Sequence, residues 1–186
     1  MIRPFKGVCP IIDRTAFISE TAVIIGDVQI GAKTGIWFNV VVRGDVNSIK
    51  IGCRTNIQDL SILHVSSRKS ESDTGSPLFI GDDVTIGHNC TIHGCRLENG
   101  AFIGMNAVVM DRVVIGAGAM VAAGSLVTEG TLIPPGALWA GSPARFKRAI
   151  TEDEKIRMSS ITASYIELAG VYREPYTSVS LENNLP

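Results

Sequence analysis

His64, His88 and His93 are the only three histidines in this chain of 186 residues. Three imidazole nitrogens around one ion, with a fourth position left open, make the arrangement of a catalytic zinc site. Such an ion lowers the pKa of bound water to about 7 and so supplies hydroxide at neutral pH. Whether the three can gather depends on the chain between and around them. Apolar residues recur at every sixth position there: Ile18, Ile24, Ile30, Ile36 and Val42, then Ile51, Ile57 and Leu63, then Ile80, Ile86 and Ile92. The series continues through Ile103, Val109, Ile115, Val121, Val127, Ile133 and Trp139. A six-residue period predicts short strands stacked in a β-helix, in which sequence position converts to a column in space.

With the apolar residue third in each hexapeptide, repeats start at 16, 22, 28, 34 and 40. Three extra residues, Val46 to Ser48, precede starts at 49, 55 and 61. A polar insertion from Val65 to Pro77 follows, and starts resume at 78, 84, 90 and 96. The repeat at 96 is one residue short, and the frame then runs from 101 to a last start at 137. Glycines just after the apolar residue, at Gly31, Gly52, Gly81, Gly87, Gly104 and Gly116, are expected at tight corners that need unusual dihedrals. About eighteen units fit, over roughly residues 10–145. The pattern resembles the left-handed parallel β-helix of hexapeptide repeats, and the resemblance implies three hexapeptides per triangular coil and left-handed winding.

The predicted fold is therefore mainly β, with a β-helix over 1–148 and a C-terminal α-helix and tail over 149–186. Thr151-Glu152-Asp153-Glu154 reads as a capping box with acids in the first turn. Ile161, Tyr165, Leu168 and Tyr172 follow at helical spacing as an apolar stripe, to pack on its own β-helix or on a neighbour. Pro175 marks the helix end, and the tail after Tyr176 is polar.

Given three faces per coil, His64 and His93 are both the fourth residue of a face-three repeat, one coil apart if the insertion loops out without a change of phase. Adjacent strands lie about 4.7–4.9 Å apart, so the two imidazoles can share an ion. Their column reads Ile25, Arg43, His64, His93, Met110, Thr128, with Met110 as packing above the site. His88 is the fifth residue of a face-two repeat, in the column of Asp59 and beside Gln58. A strand of five or six residues spans roughly 16–20 Å, so His88 cannot easily complete that site in its own chain. A cyclic trimer would set one chain's face-two edge against the next chain's face-three edge and build three shared sites. An Arg43–Asp59 ion pair between chains follows, bidentate in form.

The runs ValValArgGlyAspVal (41–46), ThrAsnIleGlnAsp (55–59), His64 and GlyHisAsnCysThrIleHisGlyCys (87–95) resemble the γ-class carbonic anhydrase family. The resemblance implies a homotrimer and zinc, or ferrous iron, held by His64, His93 and a neighbour's His88. It implies reversible hydration of CO2 to bicarbonate, with Arg43, Asp45, Gln58 and Asp59 near the metal. In that family's terms Gln58 would orient the hydroxide, and Arg43 and Asp59 would tie subunits together. A tyrosine on the C-terminal helix reaches the site in family members; Tyr165 is the candidate here. One departure concerns proton transfer. Active members carry an acidic loop beside the site, whereas here Glu71 and Asp73 lie away from the matching place and Val46 follows Asp45. Proton export is then slow or left to buffer.

Net charge is −1, which favours neither nucleic acid nor an anionic membrane as partner. No segment approaches the roughly 20 apolar residues of a membrane span, and MIRPFKG at the N-terminus has no signal-peptide core. Cys9, Cys53, Cys90 and Cys95 show no metal or redox spacing; Cys90, on an apolar repeat position, reads as a buried thiol. A reducing, cytoplasmic setting is expected. The Arg43-Gly44-Asp45 tripeptide lies inside a repeat and does not read as an adhesion motif. Rival functions are a hexapeptide acyltransferase with one catalytic histidine and no metal, a metal-dependent thioesterase using the same site, and a non-catalytic trimeric scaffold with a vestigial metal site.

Overall fold

The computed structural model describes residues 1–70 and 72–173. Glu71, Pro175 and the tail after Tyr176 lie outside the described residues. The chain winds as a left-handed, three-sided parallel β-helix of about eight turns, closed by one C-terminal helix. Its three apolar columns follow the six-residue frame. Face one stacks Ile30, Ile51, Ile80, Leu97, Ile115 and Ile133. Face two stacks Ile18, Ile36, Ile57, Ile86, Ile103, Val121 and Trp139. Face three stacks Ile24, Val42, Leu63, Ile92, Val109 and Val127. These side chains turn inward and are almost wholly buried or, for Ile18 and Trp139, partly so. Each buried Ile, Leu or Val contributes roughly 1.5–3 kcal/mol through removal of apolar surface from water. Cys90 sits in this interior, and burial pushes its thiol up to about 11.

The irregular stretches leave the phase intact. The register shifts between Gly26 and Val28, opposite the three extra residues, and recovers at Val28↔Ile49. The 65–77 insertion loops out from a neck where Ser66 and Ser76 exchange backbone hydrogen bonds of 3.1 Å. Asn47, from the three-residue insertion, donates from Nδ2 to the carbonyls of Ser66 (3.0 Å) and Thr74 (2.9 Å). The two insertions therefore fasten to each other.

The corners differ from expectation. Left-handed φ falls on the sixth residue of the repeats, including Lys33, Asn39, Arg54, Leu60, Asp83, Asn89, Asn106 and Arg112. The glycines after the apolar residue do not have positive φ. They are small for another reason: a Cβ on Gly104 would sit 2.4 Å from the Ala123 backbone nitrogen of the next coil. Close stacking of coils, not dihedral freedom, requires glycine there.

Two end pieces extend the frame. Ile2–Arg3 and Ile11–Ile12 pair in parallel with Val23–Ile30. At the other end Ala144–Ala149 turns back antiparallel against Ala137–Gly141. The helix Glu152–Tyr172 then begins at the capping box, with Thr151 Oγ1 accepting from the Glu154 amide and Glu154 accepting from the Thr151 amide. It packs on face two of its own β-helix, against the strands Phe17–Ile18, Gly35–Ile36, Asn56–Ile57 and Thr85–Ile86. The buried side chains are Met158, Thr162 and Ala169, with Ile161 and Tyr165 half-buried, while Leu168 and Tyr172 of the predicted stripe are exposed. The Tyr172 ring still packs inward, with centroids 5.7, 5.4 and 5.6 Å from those of Phe17, Trp37 and Phe38, and the inward flank also uses a threonine and an alanine that apolarity alone does not point to. Thr162 Oγ1 lies 2.8 Å from Thr85 Oγ1, which explains the polar choice.

Candidate metal centre

The β-helix register sets His64 directly opposite His93. Both side chains leave the strands Ile62–His64 and Thr91–His93 outward, next to the inward-facing Leu63 and Ile92. His64 Nδ1 and His93 Nε2 face each other at 3.0 Å. A proton on one of the two nitrogens would make that contact a hydrogen bond; with each ring's proton on its carboxylate side instead, two lone pairs turn on one point and suit a cation. Tetrahedral zinc with bonds of about 2.0–2.1 Å would hold its nitrogens roughly 3.3 Å apart, so the pair needs to open by only tenths of an ångström. The imidazole pair is borderline in softness and fits zinc or ferrous iron better than a hard oxygen-seeking ion.

The remaining nitrogens of these rings are capped by carboxylates. His64 Nε2 lies 3.1 Å from Asp45 Oδ1, and Arg43 pairs with Asp45 Oδ2 at 2.5 Å. His93 Nδ1 lies 2.6 Å from Asp111 Oδ1. Burial works to raise the Asp45 carboxyl, but the hydrogen bonds from Arg43 and His64 outweigh it and hold it below the usual range. Asp111 is also held low: burial opposes, and the bonds from Ser66 and His93 prevail. Burial pushes His64 below its ordinary value, against the pull of Asp45, which favours the neutral imidazole that a metal requires.

His88 stands on the face-two edge with a different set of neighbours. Its Nδ1 lies 2.8 Å from Asp59 Oδ2, and Asp59 Oδ1 accepts from the Phe38 amide at 3.2 Å. Tyr165 Oη is 3.4 Å from His88 Nε2. The helix delivers that tyrosine through an aromatic cluster, with the Trp37 ring edge-on to Tyr165 at 5.3 Å between centroids. Gln58 is buried beside Asp59 and donates to Asn56 Oδ1 at 3.1 Å, and Asn56 donates to Thr85 Oγ1 at 2.8 Å.

The predicted site residues thus fall into two halves. Arg43, Asp45, His64 and His93 form one; Gln58, Asp59, His88 and Tyr165 form the other. Among the described residues no three His, Cys, Asp or Glu side chains converge as a ligand set. Within one chain Arg43 pairs with Asp45, and Asp59 pairs with His88. Asp73 spends both carboxylate oxygens on amides of its own loop, Lys69 at 2.9 Å and Gly75 at 2.9 Å. Sequence reasoning missed Asp111. The available signal was an acid one position past Met110, in the coil that follows His93.

Comparison with known proteins assigns the chain to a family. It is 47% identical to a carbonic anhydrase of Geobacillus kaustophilus over 189 residues, covering 100% of both chains. The chain belongs to the γ-class carbonic anhydrase family. Another γ-class relative, the mitochondrial γ carbonic anhydrase 2 of Arabidopsis thaliana, is 47% identical over 163 residues. That match covers 88% of this chain and 58% of the plant protein, so the chain spans little more than half the length of this curated relative. The family described as dynactin subunit 5 matches residues 11–171. A solved structure of a hexapeptide transferase family protein from Anaplasma phagocytophilum superimposes with a TM-score of 0.86 at 46% identity, covering 92% of this γ-class chain and 97% of that one. No described helix is long and apolar enough to cross a membrane.

Proposed function

We propose that this chain is a metal-dependent carbonic anhydrase. In this reading it assembles as a cyclic trimer whose zinc or ferrous ions are held by His64 and His93 of one chain and His88 of the next. The observation that carries the reading is the facing pair His64 Nδ1 and His93 Nε2 at 3.0 Å, each ring having its other nitrogen on a carboxylate. When bound, the ion supplies Lewis-acid activation of water at neutral pH. The chain's own residues hold and orient. Asp45 and Asp59 keep the imidazole protons on the nitrogens turned away from the centre. The Gln58 amide, fixed by Asn56, offers its remaining hydrogen-bonding capacity to reactant oxygen. Tyr165 stands over the His88 nitrogen meant for the ion.

Leu60, Ile62, Met105 and Met110 add support for assembly. These large apolar side chains are exposed in the single chain, close in sequence or in stacking to the two half-sites. A second copy of the chain would bury them. Arg43 and Asp59, each already ion-paired within its chain, would extend those pairs across the interface.

The test is metal analysis with stopped-flow CO2 hydration, on reductant-treated protein loaded with zinc or with ferrous iron. About one metal per chain and CO2 hydration in at least one form are expected. No detectable hydration in either form contradicts the carbonic anhydrase reading and leaves the fold standing. The similarity to a dynactin subunit family favours a second reading, a trimeric assembly subunit with a vestigial metal site. A trimer that binds zinc but turns over neither CO2 nor thioesters supports it. The Anaplasma relative is named a hexapeptide transferase family protein, and a metal-free transferase reading is separated by the metal content.

A further inference from the structure

We infer that Asp111, anchored by Ser66, is the positioning residue that sets which nitrogen of His93 carries the proton, and that the 65–77 insertion is tied into the metal centre through this pair. The inference rests on the metal reading above. Asp111 Oδ1 lies 2.6 Å from His93 Nδ1, and its Oδ2 accepts from Ser66 Oγ at 2.7 Å. An ionised carboxylate only accepts hydrogen bonds. The proton of a neutral His93 therefore sits on Nδ1, and the lone pair of Nε2 turns toward His64.

Room for this contact is made by one glycine. Gly94 follows His93 with φ +45, and a Cβ there would lie 2.2 Å from Asp111 Oδ1 and 2.6 Å from Ser76 Cβ. Any side chain at 94 would push the carboxylate and the neck of the insertion apart. That neck is itself fixed by the Ser66–Ser76 backbone pair and by Asn47. The insertion, which breaks the repeat and has no phase of its own, thus supplies a hydroxyl that aims the carboxylate at a ligand. Outer-sphere carboxylates of this kind fix the tautomer and orientation of a ligating histidine.

Asp111→Asn tests the assignment, with Ser66→Ala beside it. An asparagine can turn its amide N–H toward His93 Nδ1 and so move the ring proton to Nε2, the nitrogen meant for the metal. With three histidines in the chain, long-range ¹H–¹⁵N spectra of the metal-free protein carry three imidazole patterns. The wild-type His93 pattern is expected to be the Nδ1–H form, and the Asp111→Asn pattern the Nε2–H form. Zinc affinity by chelator competition is expected to fall about 10–100-fold in Asp111→Asn and by less in Ser66→Ala, which keeps the carboxylate. The thermal midpoint of the metal-free variants reports folding separately. An Asp111→Asn protein that keeps the Nδ1–H form and binds zinc like wild type overturns the inference. A wild-type protein that binds no zinc, while Asp111→Asn still moves the proton, upholds the pairing and overturns the metal reading instead.

Discussion

An imidazole that binds a metal gives a lone pair from one nitrogen and must park its proton on the other. Each of the three histidines here has a carboxylate at the parking nitrogen: Asp45 for His64, Asp59 for His88 and Asp111 for His93. Among the described residues, none beside the histidines visibly provides proton export. Asp73 is bound to its own loop at both oxygens, and Val46 occupies the place beside Asp45. CO2 hydration by the metal-loaded protein is therefore expected to rise several-fold as a proton-accepting buffer is raised at fixed pH and ionic strength. Stopped-flow rates across a buffer series check this, and a rate independent of buffer places a proton acceptor in the protein. The stacking of His64 on His93 was legible because the six-residue period fixes columns. Asp111 was not, because its reach depends on the φ of Gly94 and on Ser66, a residue of the insertion outside the period.

At the scale of elements, the inward columns were fully legible, since one apolar residue in six leaves a single choice of face. The corners were not. The sixth residue turns left-handed even when it is Leu60 or Arg112, because the coil geometry imposes the turn on whatever residue stands there. The helix was legible in its start and only partly in its buried flank, for Thr162 is buried to meet Thr85. Its start has a pH signature. The Glu154 carboxyl is lowered from an ordinary 4.5 to about 2, chiefly by Arg148 and then by the Thr151 amide. A carboxylate lowered in the folded state gives its stabilisation in full above its unfolded pKa and loses it as pH falls through the folded value. The contribution of this cap is thus complete above about 4.5 and fades toward 2. Between those pH values Glu154→Gln is expected to flatten the acid dependence of stability, read as denaturant midpoints by circular dichroism against wild type. Equal slopes for the two proteins contradict the ion pair's role.

For the whole molecule, the two clusters lie on different edges of one chain, so the proposed three-histidine centre requires assembly. His64 with His93 and His88 with Tyr165 are each complete in themselves and useless alone as a three-nitrogen centre. Exposed Leu60, Ile62, Met105 and Met110 around them are what a closed ring of copies would cover. Sequence spacing placed His88 in a different column from the other two without coordinates, because a period of six fixes the columns. The decisive measurement mixes two chains that each lack one half: His88→Ala, and a double variant carrying His64→Ala and His93→Ala. Refolded separately, neither is expected to hold zinc at the site. Refolded together in equal amounts, random trimers have one intact interface in each mixed ring, which gives about a quarter of the wild-type zinc per chain. Recovery of that zinc in the mixture is the expected result. A mixture that holds no more zinc than its separate components, or a His88→Ala chain that alone keeps wild-type zinc, contradicts a centre shared between subunits.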